Sequence, residues 1–568
     1  MVRCLRLAER IGGLRETGIY LPPAAEEAAR FMEARLPQGT KLLQQEPPPG
    51  SWDFILIDRL ATTAGEYRRF SSWGVPIGLD EGGAVRGRFP FLIDTLPVLP
   101  GTSPANLADT GYLEVPPRMR ERPGSINSVL VTFGGEDPAG LTEQCLSALL
   151  EAGYPPESIT AVKGPLFGRD RSLQGHGAEG LHVLEAPASL FEQFALHDLV
   201  CTSFGLTAFE AAAAGALVLL INPSRYHRRL ADAAGFLSAG TGRVKRRRFR
   251  KLLENPGQIA AAAQRAAPSD GRRLEALLMA LQRPAAEGCP VCGRRDNTAL
   301  LRGAERSFFS CSSCGAVYQL DFGKRGERYA EHYFFEEYRQ QYGRSYLDDA
   351  PHIRELSAPR ARRIRKLLAG RKPGEKLRLL DVGCAYGPFL QAAAAEGFIP
   401  EGTDISAAAA AYVRDELGFP AHVGDFEEFP ASPPGRYAAV TMWFVIEHFP
   451  DADAVLRRAA ALLPLGGVFA FSTPNLRGGT GRFYPRRFLS GSPYDHHTIW
   501  YPGMARSVLR RYGFRTEQVV ITGHHPERLP GSGGSPGRFR RPVLAAVSRL
   551  AGLGDTFEIY ARKIGEPQ

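Results

Sequence analysis

Residues 377–390 read Leu377-Arg-Leu-Leu-Asp-Val-Gly-Cys-Ala-Tyr-Gly-Pro-Phe-Leu390, and Gly402-Thr-Asp-Ile-Ser406 follows after a helical stretch. The apolar run to Val382, broken only by Arg378 and Asp381, has the length of a buried parallel strand. Gly383, Ala385 and Gly387 then let the backbone pass close to a ligand at the start of the next helix. Asp404 stands 21 residues beyond Gly383, where a second strand would end and a carboxylate can take both hydroxyls of a ribose. Strand, glycine turn, helix, strand and acid together predict a nucleoside ligand.

The spacing is D-x-G-x-A-x-G rather than the G-x-G-x-x-G of a dinucleotide site. Asp381 would repel a pyrophosphate but suits a ligand bearing an ammonium group. The segment resembles the first motif of class I S-adenosylmethionine-dependent methyltransferases, and the resemblance continues in that family's order to Asn475. Gly424-Asp425-Phe426 looks like the acid and apolar residue that hold the adenine. Tyr437 to Pro450 looks like the fourth strand and its loop, and Leu462 to Asn475 like the Gly-Gly turn and fifth strand. The resemblance implies a Rossmann-like fold with the cofactor held by Asp381, Gly383, Ala385, Gly387, Asp404, Ile405, Asp425 and Phe426. Ala385 replaces a glycine common in that family.

At 568 residues the chain is expected to hold three or four units. No apolar run reaches the ~20 residues of a membrane span, and the N-terminus lacks a signal-peptide core, so a cytoplasmic protein is expected. The net charge of +10 comes largely from arginine in a composition typical of a GC-rich genome, and no nucleic-acid partner is expected. The densest basic run, Arg243 to Lys251, reads as a solvated helix face beside Leu252 and Leu253.

Of eight cysteines, four form Cys289-Pro-Val-Cys292-Gly and Cys311-Ser-Ser-Cys314-Gly, with 18 residues between the knuckles. This spacing predicts a small ribbon in which Cys289, Cys292, Cys311 and Cys314 hold one structural Zn2+. Cys4, Cys145, Cys201 and Cys384 read as core or neutral positions. Ribbon, aromatic stretch Tyr329 to Tyr338 and helix near Ala361 resemble bacterial methyltransferases with an N-terminal zinc ribbon, a group that implies a sugar, nucleotide-sugar or other small-metabolite substrate. The aromatic stretch reads equally as an acceptor lid or a packing strap.

The first 280 or so residues alternate strand and helix, which predicts parallel sheets covered on both faces. Ser128 to Pro138 and Asp198 to Glu210, followed by Leu217 to Asn222, resemble the C-terminal half of GT-B glycosyltransferases, and more narrowly the nucleotide-sugar hydrolase of pseudaminic acid synthesis and its spore-coat polysaccharide relatives. The resemblance implies a nucleotide-sugar site with Gly134 and Gly135 facing the pyrophosphate. Ser203, Gly205 and Thr207 would form a loop at a helix N-terminus, and Glu210 would reach the ribose. Met1 to Arg10 resembles that hydrolase's first helix, which relatives precede with a strand, a Gly-rich loop and a histidine; the expectation is either a start placed too late or a half that has lost its first strand and a catalytic group. His227 stands where relatives often carry an amide. Asp53, Asp58 and Asp80 fall at expected strand ends without an assigned role.

The resulting architecture is α/β: a GT-B-like pair of halves (1–125 and 126–281), a linker (282–288), a zinc ribbon (289–320), a helical aromatic linker (321–375) and a Rossmann-like methyltransferase (376–565). Oxygen methylation needs a base, and His497, His496 and His448 are the candidates, His497 first. Tyr494, Trp500 and Tyr501 read as a sugar-stacking wall or as core. In Ser535 to Gly554, Val543, Val547, Leu550 and Leu553 recur at helical spacing; packing on the methyltransferase is expected, with membrane-surface contact as the alternative. Thr556 to Lys563 reads as the closing strand.

Overall fold

Runs of Val, Leu and Ile too short for a helix form the strands of two units, Met1–Leu281 and Gln282–Gln568. The computed structural model describes residues 2–567 except 23–24, 115, 117–118, 168–172, 174–178, 188, 269–272, 324–342, 344, 371–376, 430–432, 434 and 531–539. The aromatic stretch Tyr329 to Tyr338 lies outside the described residues.

The first unit opens on a helix, Val2–Gly12. Strands β1 (Thr17–Tyr20) and β2 (Thr40–Leu43) make a parallel pair. Next come β3 (Phe54–Asp58), β4 (Val75–Leu79), β5 (Phe91–Asp94) and β6 (Leu107–Ala108), which form a parallel sheet in chain order. A second parallel sheet holds β7 (Val129–Val131), β8 (Ile159–Lys163), β9 (His182–Glu185), β10 (Leu199–Thr202), β11 (Leu217–Asn222) and β12 (Ser238–Thr241), in the order β12-β11-β10-β7-β8-β9. Its strands alternate between two cores: Val129, Val131, Leu217, Leu219 and Ile221 face one, Leu130, Val200, Val218 and Leu220 the other. Burial on both faces is why these strands read as unbroken apolar runs. The basic run became the solvated face expected of it, with Phe249, Leu252 and Leu253 turned inward.

In the second unit β13 (Thr298–Arg302), β14 (Arg306–Ser310) and β15 (Val317–Asp321) are antiparallel. The main sheet contains β16 (Arg378–Val382), β17 (Ile399–Asp404), β18 (Ala421–Val423), β19 (Ala439–Trp443) and β20 (Val468–Pro474). Short β21 (Thr498–Ile499) leaves this sheet and pairs with β15, and β22 (Phe514–Thr522) and β23 (Thr556–Lys563) complete it. The order is β18-β17-β16-β19-β20-β23-β22, with β23 antiparallel to both neighbours. The chain moves outward from β16 through β17 and β18, then returns to lay β19 on the other side of β16. That reversal makes the carboxyl ends of β16 and β19 the switch point where such sheets bind ligands.

The C-terminal helix packs within the second unit, but by another face than the apolar spacing suggests. The helix Arg540–Leu550 leaves Val543, Val547 and Leu550 exposed, Leu550 at 91%. It buries instead Ser548, whose Oγ lies 2.8 Å from His524 Nδ1. Helical spacing shows that a face is apolar, not that a surface covers it; of the apolar residues named, only Leu553, beyond the helix, is buried. Among the described residues no helix is long and apolar enough to cross a membrane.

In the first unit Arg86 is buried and donates to both oxygens of Asp94, at 2.8 and 2.6 Å, and to Ser103 and Glu81 carbonyls. Arg86→Met is expected to strand the Asp94 charge and lower stability by roughly 3–5 kcal/mol in chemical denaturation.

Candidate active site

The loop after β16 is shaped by three positive-φ residues. Gly383 (φ 69°) leaves no room for a side chain: a Cβ there would lie 2.4 Å from Val445 Cγ2, in the loop after β19. Gly387 (φ 75°) precedes the helix Pro388–Ala395, and its Cβ would strike Leu417. Ala385 is strained at φ 45°, and its N–H donates to Asp404 Oδ2 at 2.8 Å while the Ser406 N–H donates to Oδ1 at 2.9 Å.

Asp381 and Asp404 are both buried. Thr441 donates to Asp381 Oδ1 at 2.6 Å. Burial pushes both carboxyls above the usual range: Asp381 against its Thr441 bond, and Asp404 against its backbone donors. A cation in the cleft would offset the cost that burial puts on the ionised form of both groups. Ile405 beside them is 48% exposed, an apolar shelf at the strand end. Asp425 is exposed, whereas the Phe426 ring is buried against Phe429 and Phe449. An acid flanked by an exposed isoleucine and a second, open acid fits a ribose and an adenine.

On the β19 side the backbone is strained again, at Phe444 (φ 59°), which is exposed. A short turn, Ile446–His448, follows. His448 Nδ1 lies 3.0 Å from Asp495 Oδ2. Burial opposes the imidazolium, but the hydrogen bond to Asp495 and the charge of Glu447 outweigh it and hold the His448 pKa above its ordinary value. The His496 ring meets His448 edge to face at 4.7 Å, and burial beside that neighbour drops its pKa to about 3. Glu447 is fully enclosed, and burial, against weaker bonds from its own backbone and Thr473, lifts its pKa to about 7. Glu447, His448 and His496 present ligand atoms within 4.8 Å of one another, a set able to hold a divalent cation.

The structure therefore gathers His448 and His496, while the His497 carbonyl is engaged with Gln319. Trp500 is core, packed on Phe471, and Tyr494 is exposed. Sequence reasoning passed over Glu447, Asp495 and Phe444, although the Glu-His and Asp-His pairs were visible as adjacent ionisable residues in loops.

The four knuckle thiols form a second cluster, with all Sγ atoms within 4.8 Å of one another. Cys289 and Cys314 Sγ are 3.4 Å apart and Cys292 and Cys311 Sγ 3.5 Å, far beyond the ~2.05 Å of a disulfide. Gly293 and Gly315 sit at φ 69° and 75°, closing each knuckle. The cluster can chelate a metal.

In the first unit a cavity of about 600 Å³ is lined by Gly134, Gly135, Thr207 and Glu210 together with Arg6 and Arg10. Ser203 and Gly205 are not among its lining residues. Arg6 lies 3.0 Å from Glu114 and 3.7 Å from Glu210. Burial, despite nearby Arg6, raises the Glu210 carboxyl to about 7.

Residues 352–519 match the family described as a methyltransferase domain. The chain is 29% identical over 187 residues to the ubiquinone biosynthesis O-methyltransferase of Thiobacillus denitrificans, covering 31% of this chain and 78% of that protein. The enzyme of the same description from Aromatoleum aromaticum is 28% identical over 26% of this chain and 68% of its own. Among solved structures, a SAM-dependent methyltransferase from Archaeoglobus fulgidus aligns with TM-score 0.30 and 19% identity, over 40% of this chain and 100% of that one. The C-terminal unit carries a class I S-adenosylmethionine-dependent methyltransferase domain. The protein is a methyltransferase.

Asp404→Ala is expected to weaken S-adenosylmethionine binding on the order of 10- to 100-fold by calorimetry. In wild type, affinity should fall on acidification at a pH above the ordinary aspartate range, because the raised Asp404 carboxyl then loses its charge. Between pH 4.5 and about 7 the folded chain keeps a Glu210 proton that the unfolded chain has released, so stability falls as pH rises through that window. Glu210→Gln should raise the melting temperature at pH 8, by a gain of roughly 1–3 kcal/mol, and change little at pH 4.

Proposed function

We propose that the second unit methylates a hydroxyl of a sugar, nucleotide sugar or related small metabolite in surface-glycan synthesis. The observation that carries this reading is the His448–Asp495 pair at 3.0 Å, in the loop whose Val445 touches Gly383. Asp495 orients the ring at Nδ1, and the imidazole would take the acceptor's hydroxyl proton. S-adenosylmethionine, when bound, supplies an electrophilic methyl group on a sulfonium. Asp381 would face its ammonium end, Gly383, Ala385 and Gly387 would cradle it, Asp404 would take the ribose, and Ile405, Asp425 and Phe426 would hold the adenine. The name of the relatives, O-methyltransferase, supports oxygen as the acceptor atom.

In the same reading the thiol cluster holds a structural Zn2+, closed to substrate by its four sulfurs. The first unit is a GT-B-like nucleotide-sugar domain: Gly134, Gly135 and Thr207 would meet the diphosphate and Glu210 the ribose, with Ser203 and Gly205 shaping the loop behind them. An active hydrolase or glycosyltransferase in this unit is the second reading, favoured by Glu210, whose carboxyl near 7 suits proton transfer.

His448→Ala is expected to cut turnover of a methylated sugar acceptor by ~10²–10⁴-fold with S-adenosylmethionine affinity unchanged; full activity in this variant would remove His448 from the reaction. Calorimetry with UDP-, CMP- and GDP-sugars should show a site that survives Asp404→Ala. Nucleotide released from those sugars, and lost in Glu210→Gln, would select the second reading. Elemental analysis should find one zinc per chain, absent from Cys311→Ser/Cys314→Ser.

A further inference from the structure

Asp495 and His496 lie on a stretch without regular structure, 491–497, that nevertheless holds Asp495 against His448. Its carbonyls are taken from β14 and β15. Arg306 donates to Ser492 O at 2.6 Å and to Ser490 O. The Gln319 side-chain amide donates to Pro493 O and Tyr494 O, both at 2.9 Å, and its backbone N–H to His497 O at 3.1 Å. The Arg306 guanidinium also lies 4.2 Å from the Tyr494 ring centroid. Beyond the loop, β15 pairs with β21 in the register Tyr318↔Thr498. Carbonyls on both sides of Asp495 are thus tied to the cysteine module, while the Asp495 side chain reaches His448.

Two features mark these residues as more than hairpin filler. Arg306 and Gln319 are buried, at 8% and 1% exposure, and enclosing a guanidinium costs free energy that bonds within β14 and β15 do not require. The second knuckle, Cys311 to Cys314, is itself the turn between β14 and β15. The geometry of that turn sets how Arg306 and Gln319 are presented to the loop.

We infer that Arg306 and Gln319 are positioning residues for methyl transfer, and that the cysteine module is the scaffold that holds Asp495 against His448. This rests on the reading of His448 and Asp495 as the proton-accepting pair. The module therefore belongs to the acceptor side of the site, and loosening its second knuckle loosens the base.

The test uses the full chain carrying Gln319→Ala, Gln319→Met (which keeps the volume) or Arg306→Lys. Two readouts need no acceptor: hydrogen exchange of amides 494–497, and the downfield proton resonance of His448 Nδ1 bonded to Asp495, assigned by its loss in Asp495→Asn. In both Gln319 variants, exchange should accelerate on the order of tenfold or more and the resonance should disappear. S-adenosylmethionine affinity should stay within about twofold, since the Gln319 amide bonds Pro493 O and Tyr494 O rather than a residue assigned to the cofactor. Arg306→Lys, which keeps the charge but not the fork, should show the same change to a smaller degree. Wild-type exchange and an intact resonance in a folded, cofactor-binding Gln319→Met would overturn the inference. A resonance absent already from wild type would instead sink the His448–Asp495 pair and the catalytic role inferred for the module, even if loop exchange responded to Gln319.

Discussion

The second unit depends on a missing atom. Because Gly383 has no Cβ, the loop leaving β16 can close on Val445, and the Val445 loop is the one that turns into His448. A side chain at position 383 would push the two loops apart by more than an ångström, separating the acids at the end of β16 and β17 from the imidazole beyond β19. These two loops hold Ala385 and Phe444, one in each, in left-handed conformations. Strain of this kind persists only where surrounding packing over-determines it, and here Leu390, Cys384 and Val413 supply a buried platform beneath the glycine loop.

Electrostatics then divides the cleft. Asp381, within the field of Arg360, and Asp404, held by backbone donors, are both buried, and a positive ligand would offset that burial. Across the loop contact, Asp495 and Glu447 bias His448 toward its protonated form, while burial keeps His496 neutral. Two imidazoles 4.7 Å apart cannot readily both be charged, so one partner with a carboxylate and one without gives them distinct states.

The first unit shows the opposite use of strand-end acids. Arg3 donates to Asp58 at 2.8 Å, to Asp80 at 2.6 Å and to Thr95 at 3.0 Å, tying its helix to the ends of β3, β4 and β5. Asp58 and Asp80, left without a role in the sequence, serve a guanidinium. Arg6 and Arg10, further along the same helix, point to the cavity and are held by Glu114.

The sequence by itself determined the parallel sheets, the glycine loop with Asp404 after it, the thiol cluster and the closing strand, because each rests on residues close in the chain: apolar runs for buried strands, glycines for positive φ, paired cysteines for a knuckle. Tertiary structure decided the rest. His448 and Asp495 are 47 residues apart, and only the packing of a loop held by β14 and β15 makes them partners rather than two of several polar loop residues. The apolar row at Val543, Val547 and Leu550 looked like a packing face and is open to solvent, since periodicity fixes which side of a helix is apolar and the neighbouring chain alone fixes whether that side is covered. Local pattern is written in adjacent residues; a site assembled across the sheet is written only in their contacts.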